Sequence, residues 1–198
     1  MKAAETAVVL IEFQNDFCRE KGALYELVKN ELARQGTIAN AVRLAEESRK
    51  KGCLLIFCPF VYDAAWVDEK CVCGLIGGAA ESGALHPGGW GVKWIDEIQP
   101  AEGEPVLEGK HALSGFTNTQ LEQILEEHNI RNVVTAGFLS NVCVEATSRS
   151  AYDRGYNVRV IRDATAATSQ ANQEYVEREI YPILGGSMTV DEFIAELE

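Results

Sequence analysis

"NVVTAGFLSNVCVEATSRSAYDRG", residues 132–155, changes its periodicity halfway along. Residues 132–138 are a mostly apolar run rich in β-branched side chains, the pattern of a strand covered on both faces. From about residue 142 to 154 the stretch reads as a helix, and Gly155 ends it. A buried strand that passes through a short turn into a helix is the unit of a right-handed βαβ crossover, so the sheet is expected to be parallel.

The same alternation extends in both directions. Upstream, "AVVLI" (7–11) and "CLLIFC" (53–58, closed by Pro59) read as buried strands, and "EPVLEG" (104–109) as a third. Downstream, "NVRVIRD" (157–163) and a short run near 187–189 complete the set. Between them, Ile38, Ala41, Val42 and Ala45 share one helical face, and that helix ends at Gly52 after a basic "RKK". Thr117 and Gln120 form a capping-box pattern before a helix that buries Leu121, Ile124 and Leu125. Further helices are expected near 170–181 and from about 190. Residues 60–103 are irregular and glycine-rich, a long insertion with one short helix expected near 92–98. The prediction is a single domain over 1–198, a three-layer α/β/α sandwich around a mainly parallel, about six-stranded Rossmann-like sheet.

Composition bounds the function. The chain has 198 residues, 46% of them hydrophobic and 24% charged, enough for one sizeable core. Its net charge of -12, with no basic cluster, argues against nucleic-acid or membrane partners. The apolar run Ala7–Ile11 is too short for a targeting segment, so a cytoplasmic location is the expectation. Six irregularly spaced cysteines fit reduced thiols there.

Ligands of open α/β sheets bind at the carboxyl ends of the strands. Those ends offer Asp16, Pro59 to Tyr62, Lys110, Cys143 and Asp163. Taken singly, Asp16 reads as a turn residue, Lys110 as a solvated lysine and Cys143 as a buried structural thiol. Together they make a coherent set. A cysteine at a helix N-terminus beside an ammonium favours the nucleophilic thiolate, and a carboxylate can take and return the proton. Backbone N–H groups of "FLSNVC" are placed to hold an oxyanion.

Three blocks, "VVLIEFQNDF" (8–17), "LEGKHALSGFTNTQLEQIL" (107–125) and "VVTAGFLSNVCVEATSRSAYDRGYNVRVIRDATAA" (133–167), resemble the isochorismatase-like cysteine hydrolases. Nicotinamidase and the N-carbamoylsarcosine, ureidoacrylate and biuret amidohydrolases are in that family. The resemblance implies a catalytic Asp–Lys–Cys triad at Asp16, Lys110 and Cys143. It also implies a cis peptide at Phe138–Leu139, with the N–H groups of Leu139 and Cys143 as the oxyanion hole, and a homodimer or homotetramer. Glu12 stands where many relatives carry Asp and is read as a tolerated change at the strand end. "CPFVYDAAW" (58–66) lacks the histidines of the nicotinamidase metal site, so neither metal nor cofactor is expected.

Phe17, Tyr62, Trp90, Phe116 and Leu139 are candidates for an apolar pocket, with Asn141 as a substrate ligand or helix cap. Cys53, Cys58, Cys71 and Cys73 lack the spacing of a zinc site, and Cys53 and Cys58 should face opposite sides of the sheet. "CVC" (71–73) is a weak redox motif. The glycines do not form a phosphate loop, and "GFLSNV" is not a serine elbow. The expectation is a metal-independent hydrolase of a small amide or carbamoyl substrate. The competing readings are a non-catalytic scaffold that retains the triad and a redox protein using Cys71 and Cys73.

Overall fold

The computed structural model of the chain describes residues 1–70 and 74–198. Five parallel strands form one sheet in the order β2-β1-β3-β4-β5. They are β1 (Thr6–Ile11), β2 (Leu54–Cys58), β3 (Asn132–Phe138), β4 (Asn157–Ala166) and β5 (Ser187–Met188). The strand period of two sorts the side chains of β1 cleanly. Val8 and Leu10 enter one core, with Leu55, Phe57, Val134 and Ala136. Ala7, Val9 and Ile11 enter the other, with Ile56, Val133 and Val160. Each fully buried aliphatic side chain contributes about 1.5–3 kcal/mol, so both faces must be covered.

Helices α2 (Tyr25–Gln35), α3 (Thr37–Lys51) and α9 (Val190–Glu196) cover the first face through Val28, Ala41, Leu44 and Phe193. Helices α6 (Leu121–Glu127) and α7 (Glu145–Asp153) cover the second through Leu121, Leu125 and Ala151. α8 (Gln170–Tyr175) continues through a π segment (Val176–Ile180) and a 3-10 turn (Tyr181–Leu184) that buries Val176 and Tyr181 on the same side. The result is the expected α/β/α sandwich. Cys53 and Cys58 fall into opposite cores, as their odd spacing requires. Cys71 and Cys73, and with them the four-cysteine and "CVC" readings, lie outside the described residues. Among the described residues, no helix is long and apolar enough to cross a membrane.

The structure departs from the expectation in detail. The sixth strand shrinks to one bridge, Phe57 to Val106, because Pro105 brings a carbonyl but no N–H. Residues 92–98 are not a helix. Their backbone runs antiparallel to residues 13–16, with Ile95 N–H donating to Phe13 O (3.1 Å) and Asn15 N–H to Lys93 O (2.8 Å). The helices of the insertion are α4 (Ala64–Lys70) and α5 (Gly74–Ser82). The Thr117–Gln120 capping box does not form. Helix α6 starts at Leu121, whose N–H donates to Thr119 Oγ1, while Gln120 accepts from Glu108 N–H. Asp163 lies inside β4, and its carboxylate accepts from Val190 N–H at the start of α9. That makes it a structural cap, not a strand-end functional group.

Candidate active site

β1 ends at Ile11, and the next residue, Glu12, has a left-handed backbone (φ 60°). A non-glycine residue pays roughly 1–2 kcal/mol for that conformation. Glu12 is held there by its N–H, which donates to Cys58 O at the end of β2 (3.1 Å). The turn brings its carboxylate to Lys110, whose Nζ donates to Glu12 Oε1 at 2.5 Å. Both side chains are excluded from water, at 0% and 3% exposure. The ring centroid of Phe60 lies 5.0 Å from the same ammonium.

β3 reaches this point from its other side. Its neighbour β1 comes so close that a Cβ on Gly137 would lie 1.8 Å from Ile11 O, so only glycine fits. The Phe138–Leu139 peptide is cis. Ser140–Val144 then forms a π turn that runs into α7. Beneath it, Ser140 Oγ donates to Gln173 Oε1 (2.6 Å), and the Tyr181 hydroxyl donates to Ser140 O (3.1 Å). Thr147 Oγ1 donates to Cys143 O (2.7 Å) and accepts from Gly115 N–H (2.9 Å), which ties the turn to the loop after Lys110.

Cys143 is buried on this turn, and its thiol shares a cavity wall with the Glu12 carboxylate, which acts on it electrostatically. Burial pushes the thiol well above the ordinary cysteine value; the charge of Glu12 adds to the rise, and Lys110 opposes it. Burial and the Glu12 charge thus favour the protonated thiol, while Lys110 pulls toward the thiolate. Burial works against the charge on Lys110. The Glu12 carboxylate, paired and hydrogen-bonded to it, and the Cys143 sulfur when it is a thiolate outweigh that and hold the lysine above its ordinary value. The arrangement is a carboxylate between an ammonium and a thiol, so the proton acceptor is already beside the group that must lose its proton.

Asp16 is elsewhere. It belongs to the short helix α1 (Asn15–Cys18), and its carboxylate accepts from Ala23 N–H (3.0 Å) and Leu85 N–H (2.6 Å). Its neighbour Gly91 approaches so closely that a Cβ there would lie 2.2 Å from the carboxylate. The structure thus brings Lys110 and Cys143 together as the sequence suggested, but with Glu12 and not with Asp16. Applying the strand-end rule one residue after Ile11 selects Glu12, four residues before Asp16.

Glu12 and Cys143 line a cavity of about 270 Å³. Of the proposed pocket residues, Phe17 and Leu139 line it. Tyr62 lines a separate hollow, where it packs on His86 with ring centroids 4.8 Å apart. Trp90 points outward at 48% exposure, and its carbonyl accepts from Asn15 Nδ2. Phe116 belongs to the core of the second face, under the Arg154 guanidinium. Asn141 caps nothing: the residue before the π turn is Leu139, and Asn141 Oδ1 has no hydrogen-bond partner among the described residues. Phe60, from the strand-end stretch Pro59 to Tyr62, is on the wall, and the wall residues that sequence reasoning missed include Leu24, Leu85 and Leu113. They come from loops distant in sequence, and no local pattern marks them.

A family profile described as "Isochorismatase domain" matches residues 6–192. Ureidoacrylate amidohydrolase RutB of Variovorax paradoxus is 30% identical, over 98% of this chain and 82% of the relative. The protein of that name from Stutzerimonas stutzeri is 31% identical, over 98% and 83%. Among solved structures, an isochorismatase-like hydrolase from Alkaliphilus metalliredigens superposes with a TM-score of 0.77. It is 26% identical, over 96% of this chain and 98% of that one. N-carbamoylsarcosine amidase from Thermoplasma acidophilum gives a TM-score of 0.72 at 27% identity, over 94% and 97%.

Proposed function

This chain belongs to the isochorismatase family, and from that premise we propose that it hydrolyses small non-peptide amide or carbamoyl C–N bonds. Cys143 is the nucleophile, Glu12 the general base and acid, and Lys110 the compensating charge. The observation that carries this reading is the Glu12 carboxylate held between the Lys110 ammonium and the Cys143 thiol on a cavity wall.

In the reaction, Glu12 takes the Cys143 proton as the sulfur attacks the carbonyl carbon. Proton transfer to a carboxylate already beside the thiol makes the thiolate as it is used. Lys110 stabilises the negative charge as it moves from carboxylate to sulfur, in a site where water does not screen it. The carbonyl oxygen becomes an oxyanion that accepts from the N–H groups of Leu139 and Cys143. N–H groups at the start of a helix lack intrahelical acceptors and suit this role. Protonated Glu12 then gives its proton to the departing amine, leaving an acyl thioester on Cys143. A water entering the vacated space loses a proton to Glu12 and attacks the thioester. The acid leaves, and the thiol regains its proton.

Cys143→Ala is expected to abolish ammonia or amine release from a panel of amides, ureas and carbamoyl compounds, with the circular dichroism spectrum unchanged. Acylation of Cys143 by substrate should be visible by mass spectrometry. Full turnover by the alanine variant would refute the mechanism.

A further inference from the structure

We propose that this site takes amides whose acyl part is uncharged and apolar, and discriminates against substrates bearing a carboxylate; the proposal rests on the Cys143 hydrolase reading. Three features of the cavity carry it.

The first is its lining. Apart from Glu12, Cys143 and Ser82, the described residues on the wall are apolar side chains or glycine, with no lysine, arginine or histidine among them. A buried carboxylate without a cation or a set of N–H donors is far costlier than a methyl group of the same size. Among the described residues, Phe17, Leu24, Phe60, Leu85 and Leu139 present carbon to the cavity.

The second is the cation close to the nucleophile among the described residues. Lys110 is buried and already bonded to Glu12, and Phe60 packs over its ammonium. An anionic substrate would have to compete with Glu12 for this lysine, and breaking that pair would remove the base. Glu12 itself, on the cavity wall, repels a second carboxylate.

The third is rigidity. Phe17 stacks on Phe138 with ring centroids 5.3 Å apart, and Phe13 meets Phe138 edge-on at 5.1 Å. The aromatic wall is thus braced from behind and is not free to turn a polar group inward. At about 270 Å³ the hollow lies at the lower edge of the ~300–1,000 Å³ range of small-molecule sites, which suits a short branched or aromatic acyl group.

The test compares shape-matched partners that differ in charge: 3-methylbutanamide, with an isopropyl end, and 3-amino-3-oxopropanoate, with a carboxylate in its place. Ureidoacrylate is the third compound. The expected result is kcat/KM at least 100-fold higher for 3-methylbutanamide than for either anion. Equal rates, or a preference for an anion, would overturn the proposal while leaving the hydrolase reading intact. Acylation of Cys143 by the p-nitrophenyl esters of the same two acyl groups separates the two ideas. A fast stoichiometric burst with the neutral ester alone supports the proposal, and a burst of equal rate with both overturns it. No burst and no Cys143 adduct with either would remove the hydrolase reading, and this inference with it.

Discussion

Two neighbouring regions, the end of β1 and the short helix α1 after it, each bury an acid, and the acids do opposite jobs. Glu12 faces an ammonium, which is a fixed countercharge, and a thiol, which can give up a proton. Asp16 faces two backbone N–H groups and Gly91, partners that can only hold it still. Its neighbours do similar work. Gln14 exchanges hydrogen bonds with Phe60 N–H and O and donates to Val92 O, and Asn15 donates to Trp90 O. Of the polar side chains in "EFQNDF", one is presented to the cavity and three fasten the 60–95 segment to the sheet edge. A buried carboxylate in a cleft is therefore not enough to name a catalytic group; what it touches decides.

The sharpest way to break this comparison is to neutralise each acid separately. Glu12→Gln should lower kcat of the folded protein by about 10³-fold, within the range for loss of a general base. The same variant should make Cys143 more reactive toward iodoacetamide at pH 8. Removing the negative charge lowers the thiol's pKa, and each unit gained means about tenfold more thiolate. Turnover falling while alkylation rises is a pair of signs that a merely structural Glu12 would not give.

Asp16→Asn should show the reverse balance. An amide can accept from one of the two N–H groups but turns its own NH2 toward the other. Loss of a hydrogen bond to a charged acceptor costs about 1.5–3 kcal/mol, a fall in melting temperature of roughly 4–10 °C for a chain of this size. The activity of the folded fraction should drop far less than in Glu12→Gln. A variant of full stability and no turnover would hand the chemistry back to Asp16.

The smallest effect separates site electrostatics from scaffold stability. Burial pushes the Cys58 thiol up to about 12, with Lys110 opposing and Glu12 adding to the rise. Between about pH 9 and 12 the unfolded chain loses that proton and the native state keeps it. Native stability should then fall by about 1.4 kcal/mol per pH unit for this one group. Urea titrations across that range should show a shallower decline for Cys58→Ala, with the neutral-pH activity largely retained. An unchanged slope would mean that Cys58 is not shielded as described.

Much of this was legible in the sequence because strand periodicity reports burial locally. The apolar runs at 7–11, 53–58 and 132–138 located β1, β2 and β3, and the strand-end rule picked Lys110 and Cys143 from distant segments. The sequence pointed to Asp16 and not to Glu12 because an aspartate in a polar turn looks more available than a glutamate adjoining an apolar strand. Glu12 reaches the site only through a left-handed backbone that its own residue type disfavours. The course of the insertion was illegible for a different reason. Residues 91–95 satisfy their backbone on residues 13–16, so the helix expected near 92–98 lost to a tertiary partner.

The sequence by itself determined the βαβ order, the two-sided burial of the sheet, and the delivery of a lysine and a cysteine to one edge of it. Only the tertiary structure decided which acid joins them and which side chains line the cavity. The reason is physical: burial repeats every two or 3.6 residues and can be read from neighbours. The Glu12–Lys110 contact and the Gln14–Phe60 clamp join residues 98 and 46 positions apart, and these pairings exist only once the chain has closed on itself.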